Sequence, residues 1–235
     1  MKSLLKIFNL TLVLSFIFVC YPAVGKTIKL SSNSPEVSKS VNQVAPESGE
    51  DLDEIEFVEM LNSVPLDAKS AELIRKFQEK EGRNRLHARD YNEKNGCTVE
   101  TFRNKEVLLI TIPAEKLFGP NSTELRPTAS SLLNPIKRYL KDPDMYRVLM
   151  VMHTDNTGSE KYRDTLTEKR SHSIAEWFEN QGTDTEYLFP YAYGDDMPLV
   201  KNNSMSNRAK NRRLEIYLVP GKKMLEQAKK GRIVF

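Results

Sequence analysis

The stretch VLMVMHTDNTGSEKYRDTLTEKR, residues 148–170, decides the reading of this chain. Val148 to Met152 form an unbroken apolar run, the pattern of a strand covered on both faces. The run breaks at His153-Thr154-Asp155, and a polar helix follows. Thr157 and Glu160 stand at capping-box spacing, which predicts that Asn156 to Ser159 open that helix with free backbone N–H groups. With Leu166 as zero and about 100° per residue, Tyr162, Ser173, Trp177, Ile174 and Phe178 fall between roughly −40° and 120°. Arg170 falls near about 40°, inside this apolar stripe. A guanidinium on a buried face costs several kcal/mol unless an anion accompanies it. Asp155, at the mouth of the preceding strand, is the candidate partner.

Outward from this stretch the pattern stays regular. TVETFRN (98–104) and EVLLITIP (106–113) read as strands, and RPTASSLLNPIKRYLKD (126–142) as a helix with Pro127 near its first turn and Pro135 placed to kink it. YRVLMVMH (146–153) is a buried strand, 159–181 a long helix stopped by Gly182, LFPYAYG (188–194) a short strand, and RRLEIYLVP (212–220) a last strand. In that last strand Leu214, Ile216 and Leu218 share a face; strict alternation puts Arg212 on it and Arg213 on the other. Strands alternating with helices predict an α+β domain, a mixed sheet with helices on one face. One carboxylate, two guanidiniums and a helix N-terminus together suit a small zwitterion.

Upstream, residues 1–25 read as an export signal. Lys2 and Lys6 start it, LTLVLSFIFVC is its apolar middle, and Ala23 and Gly25 are small enough for cleavage before Lys26. A lipidated Cys20 and an uncleaved anchor are the alternatives. Residues 26–50 read as a flexible linker rich in Ser, Asn, Pro and Glu. Residues 51–97 are expected to be charged helices weakly attached to the domain, and the tail 221–235 a peripheral basic amphipathic helix. Without its first 25 residues the chain has 33 basic against 32 acidic residues, a balance that argues against nucleic acid as a partner. Cys97 then remains as a single thiol, so no internal disulfide is expected.

Catalytic and metal classes find little support. His153 and Asp155 are two ligand types without a third nearby. Ser159 has no nucleophile elbow or triad spacing, and a helix cap explains it. Nothing calls for a cofactor, and no enzyme activity is expected. Phe235 resembles the terminal aromatic of outer-membrane barrels, but no run of barrel strands precedes it.

HTDNTGSEKYRDTLTEKR, YGDDMP and NRAKNRRLEIYLVP, with Leu117-Phe118 upstream, resemble the OmpA C-terminal-like domain shared by Pal lipoproteins and MotB stators. The likeness covers roughly residues 98–220, and its TD…G…L…R and NRR elements stand at family spacing. It implies a βαβαββ mixed sheet that binds peptidoglycan without catalysis. Asp155 would hold the ammonium and Arg170 the carboxylate of a diaminopimelate side chain, with Thr157 and Arg212 assisting. Met152 stands where the family has glycine, Gly119 where an acidic residue often follows Leu-Phe, and Arg163 where it has asparagine. Arg163 is thus a third cation, either competing for Asp155 or adding a contact to the ligand carboxylate. The function expected is anchoring of an envelope component to the cell wall, in the periplasm or at the outer membrane of a Gram-negative bacterium. The alternative is an envelope assembly protein whose domain has lost or altered wall binding, and whose segments 51–95 and 221–235 dock a protein partner. A stator-like motor role ranks lower, because the apolar N-terminus carries no acidic residue.

Overall fold

The computed structural model describes residues 57–62, 66–91, 95–142 and 144–235, all within one compact unit, Asp53–Phe235. The expected signal at 1–25, the linker at 26–50 and the start of the acidic segment lie outside the described residues. No helix among the described residues is long and apolar enough to cross a membrane.

Five strands form one mixed sheet: β1 (Thr98–Phe102), β2 (Val107–Pro113), β3 (Tyr146–His153), β4 (Leu188–Ala192) and β5 (Arg213–Pro220), in the order β1-β2-β5-β3-β4. The pairs β1–β2, β2–β5 and β5–β3 are antiparallel, and β3–β4 is parallel. The first strand stops at Phe102 rather than Asn104, because Arg103, Asn104 and Lys105 take positive φ in the turn to β2. The register Met152↔Leu214 and His153↔Arg213 brings the end of β3 beside the start of β5, so the two ends that carry Asp155 and Arg212 meet by backbone pairing.

The helices are α1 (Ala68–Glu81), α2 (Ala114–Leu117), α3 (Ala129–Leu133), α4 (Glu160–Asn180), α5 (Met205–Asn211) and α6 (Lys222–Lys229). From Gly82 to Asp90, α1 continues as a π-helix, and from Asn134 to Leu140, α3 continues as a 3₁₀-helix. The change of pitch begins just before Pro135, which has no N–H to give to an α-helical bond. On one face of the sheet Ile110, Val148, Met150 and Ile216 pack with Ile174 and Phe178 of α4, Leu133 and Ile74. Each such side chain is worth about 1.5–3 kcal/mol when fully buried. The other face, with Leu109, Leu149, Val151 and Tyr217, packs with Phe57 from a helical turn at 57–61. Phe57 meets Tyr191 and Tyr217 edge-on at 5.1 and 5.6 Å. Two covered faces explain why β2, β3 and β5 are apolar at nearly every position.

Two expectations are corrected here. The segment at 68–91 is not weakly attached. Ile74, Gln78, Leu86 and Tyr91 are fully buried, and Gln78 Nε2 donates to Glu106 O at 2.9 Å while its Oε1 accepts from Tyr146 Oη at 3.0 Å. Gly82 permits the approach, since a Cβ there would lie 2.7 Å from Leu108 Cδ2. Nor is the tail peripheral. Met224 and Ala228 are buried, and Phe235 stacks on Tyr139 at 5.6 Å and meets Tyr146 at 5.2 Å. Gly221 is pressed so close to Asp144 that a Cβ would lie 2.2 Å from its carbonyl oxygen. A short lysine-rich helix hides this stripe of two residues among its charges. Cys97 is buried and free, and burial pushes its thiol up to about 11.

Candidate functional site

Beyond the end of β3, a cleft of about 520 Å³ is lined by Phe118, Asn121, Arg126, Asp155, Arg170 and Arg212 among others. Each wall has a local cause. Thr154 N donates to Gly194 O at 2.7 Å, and Gly194 N to Thr167 Oγ1 at 3.2 Å, so the YGDD loop fastens the strand end to α4. Gly194 sits at φ +40°, where an L side chain is strained, and a Cβ there would lie 2.5 Å from Asp164 Oδ1 and displace that carboxylate. Asn211, fully buried, closes the loop before β5 through Val200 O at 2.8 Å and Asn202 Oδ1 at 2.7 Å. The next two residues then diverge. Arg212 enters the cleft, and Arg213 goes to the opposite face, as alternation predicts.

Asp155 is 4% exposed; its Oδ1 accepts from Thr157 N at 2.9 Å and its Oδ2 from Arg212 Nη1. Burial raises this carboxyl, but hydrogen bonds from Thr157 and Arg212 outweigh it and hold the group below the ordinary carboxylate range. The group is therefore ionised at neutral pH. A depressed value also means that its stabilising contribution is present above the unfolded value and lost as pH falls through the folded one. Binding that depends on this carboxylate is expected to stay level between about pH 7 and 5 and to fall only below about 3.9, the usual aspartate value. A pH series of sacculus co-sedimentation checks this. Half-loss near about pH 5.5 would show a raised carboxyl instead.

Arg170 does not pair with Asp155, contrary to the expectation from the helix face. Its Nε donates to Ser122 O at 2.8 Å and its Nη2 to Gly119 O at 3.2 Å, with its Cζ 4.9 Å from the centre of the Phe118 ring. No carboxylate among the described residues bridges it. The loop after Leu117-Phe118 is thus its cradle, shaped by Asn121 at φ +55° and the Phe118↔Leu125 bridge. Arg170 is 5% exposed, and the two carbonyls leave guanidinium N–H groups to spare.

Arg163 is not brought into this cleft. Its Nε bonds Asp195 Oδ1 and its Nη1 donates to Gly158 O at 2.7 Å, so it does not pair with Asp155, and it is not among the residues that line the cleft. The cap of α4 is Ser159, whose Oγ accepts from Tyr162 N at 3.3 Å; Thr157 instead gives its backbone N–H to Asp155. The reading missed Arg126, which lines the cleft and donates from Nε to Phe118 O at 2.9 Å. Its signal lay in the turn-rich GPNST segment, whose folding over the site no periodicity announces. Tyr162, read as part of the apolar stripe, also lines the cleft and donates to Asn121 Oδ1 at 3.0 Å.

His153 faces away from the cleft, into a buried group on the other side of the sheet. Arg213 Nε and Tyr217 Oη donate to Glu215 at 2.7 and 2.6 Å, and His153 Nε2 lies 3.4 Å from Glu215 Oε2. Burial raises Glu215, but His153, Arg213 and Tyr217 overcome it and hold the carboxyl far below its ordinary value; burial lowers His153. This group locks the start of β5, and Arg213 Nη2 also holds Met197 O at 3.1 Å. No group of three or more His, Cys, Asp or Glu among the described residues could hold a metal ion.

Residues 117–212 match the model of the OmpA family. The outer-membrane lipoprotein YfiB of Pseudomonas aeruginosa is 35% identical over 104 residues, 44% of this chain and 61% of that protein. The peptidoglycan-binding protein ArfA of Mycobacterium tuberculosis is 32% identical over 99 residues, 42% of this chain and 30% of that protein. The match thus spans less than two thirds of either relative. The crystal structure of a MotB-like protein from Desulfovibrio vulgaris superposes with a TM-score of 0.53 at 24% identity, over 64% of this chain and 95% of that one, a likeness of fold. The matched pattern at residues 117–212 and the shared fold agree in making this chain similar to the OmpA family over that region.

Proposed function

We propose that this domain binds peptidoglycan non-covalently and without catalysis, gripping the diaminopimelate of a peptide stem and so anchoring an envelope component to the cell wall. The observation that carries the reading is Arg170, a buried guanidinium held by two carbonyls and bridged by no carboxylate among the described residues. A carboxylate ligand would supply the anion that burial demands. In the same cleft, Asp155 has used two of its roughly four lone-pair sites, on Thr157 and Arg212, and can take an ammonium on the rest. Burial lowers the Arg170 guanidinium, Tyr162 opposes this and Arg212 adds to it, so Arg170 and Arg212 are near enough to feel one another and would share one ligand carboxylate. The names of relatives such as ArfA support the same substrate class. Export by a cleaved signal at 1–25 and a site in the periplasm or at the outer membrane belong to the same proposal.

The test is co-sedimentation with diaminopimelate-containing sacculi, competed by free diaminopimelate. Parent protein is expected to sediment and to be displaced. Because Arg163 is engaged with Asp195 and does not line the cleft, Arg163→Asn is expected to change the affinity by less than about twofold, or about 0.4 kcal/mol. Failure of the parent to sediment, or indifference to diaminopimelate, would overturn the ligand assignment. Release of soluble muropeptides would overturn the non-catalytic reading.

A further inference from the structure

A second cleft, of about 440 Å³, lies at the other end of the molecule from Asp155. It opens between the π-helical turn and the 3₁₀-helix that leads toward the start of β3, whereas Asp155 lies just past that strand's end. An eight-residue strand separates the two ends by roughly 25 Å. Arg85, Arg89, Lys137, Arg138 and Lys141 line this cleft, and Asp90 is the one carboxylate among its lining residues.

The cations are pre-arranged rather than merely exposed. Glu81, nearly buried, is shared by Arg85 Nε at 3.1 Å, Arg138 Nε at 3.6 Å and Tyr139 Oη at 3.0 Å. One carboxylate thus serves two guanidiniums, fixing both while leaving the cleft positive. The 3.6 Å contact is too long for a hydrogen bond, so Arg138 Nε is a buried donor without an acceptor. Arg138 is further fixed with its Cζ 4.3 Å from the centre of the Phe235 ring. Lys137 and Lys141 have neither ion pair nor side-chain hydrogen bond among the described residues, and Asp90 is itself raised by burial. The surroundings extend the same charge: Lys222, Lys229, Lys230 and Arg232 are exposed on and after α6, with Glu226 the acid among them, and exposed Val234 precedes Phe235.

We propose that this cleft binds the phosphate of an anionic lipid headgroup. A concave set of fixed guanidiniums and free lysines matches a phosphate's several acceptor oxygens. The wide lysine rim with exposed Val234 matches a planar array of such phosphates better than a single acidic peptide, which would need a pocket for an apolar anchor, whereas the residues lining the cleft are charged or polar apart from Pro135 and Tyr139. None of these residues belongs to the Asp155 cleft, so the assignment stands or falls independently of the wall reading.

The experiment is flotation of the full chain with vesicles of phosphatidylcholine alone and with added phosphatidylglycerol. Residues 1–25, with Lys2 and Lys6, are common to parent and variants, so the difference between them in the phosphatidylglycerol-dependent increment is what is read. Lys137→Glu/Lys141→Glu is expected to weaken that increment at least about tenfold, since each basic residue near an anionic surface contributes severalfold to binding. Lys201→Glu/Lys210→Glu, an equal charge change at exposed positions outside the cleft, is expected to alter it less than about twofold. Equal losses in both variants, or no phosphatidylglycerol-dependent increment in the parent, would overturn the proposal. So would a cleft variant that floats like the parent but loses binding to polyglutamate, or to inorganic phosphate in solution. Those results would assign the cleft to an acidic peptide or to free phosphate.

Discussion

Asp155→Ala is expected to weaken sacculus binding by at least about tenfold, the lower end of what a lost charge-assisted hydrogen bond of about 1.5–3 kcal/mol implies. The structure raises the expectation above that of a simple contact. With the carboxylate gone, Arg212 loses its partner, and Arg126, Arg170 and Arg212 all line a cleft that must accept an ammonium. Asp155→Asn is the sharper variant, because it keeps the shape and an oxygen for the Thr157 N–H while removing the charge. Arg170→Ala is expected to cost at least as much, for two reasons that differ in kind. It removes the ligand's cation and also leaves the Ser122 carbonyl without its Arg170 donor, while Gly119 O keeps only Ser122 N, so the 118–126 loop can lose its shape. Arg170→Lys separates these effects, since it keeps charge but not the planar fork that serves two carbonyls at once. Circular dichroism and urea midpoints should accompany each measurement. Well-folded Asp155→Asn and Arg170→Lys variants that sediment like the parent would make both residues structural and favour the envelope-interaction reading.

The second large effect concerns stability. A chain ending at Pro220 is expected to lose more than the ~2–5 kcal/mol that Met224→Ala alone should cost, because the buried Ala228 and the Phe235 ring on Tyr139 and Tyr146 go with it. Against a typical domain stability of about 5–15 kcal/mol this is a large fraction. Urea unfolding of the full and shortened chains reads it as a lower midpoint. An unchanged midpoint would return the tail to the periphery.

Much of the domain was legible because its signals are local. Each predicted strand and the long α4 came from apolar runs, alternation and stop signals, and the structure places them within a residue or two of their expected bounds. Arg212 and Arg213 diverged as a period of two requires. The helical segment at 68–91 and the tail were misjudged because their buried positions are few: Ile74, Gln78, Met224 and Ala228 lie among charges, and what buries them comes from distant parts of the chain, as Tyr146 and the Glu106 and Leu218 carbonyls do for Gln78.

The chain's sequence by itself determined the sheet-and-helix framework, the presence of a buried cation on α4 and a carboxylate at a strand mouth. Which charges meet was decided only by the tertiary structure. Periodicity assigns a residue to a face, but a guanidinium on a long flexible stem takes whichever acceptor the neighbouring loops deliver. Here the β3–β5 register delivered Arg212 to Asp155, the 118–126 loop delivered its carbonyls to Arg170, and the YGDD loop took Arg163 away to Asp195.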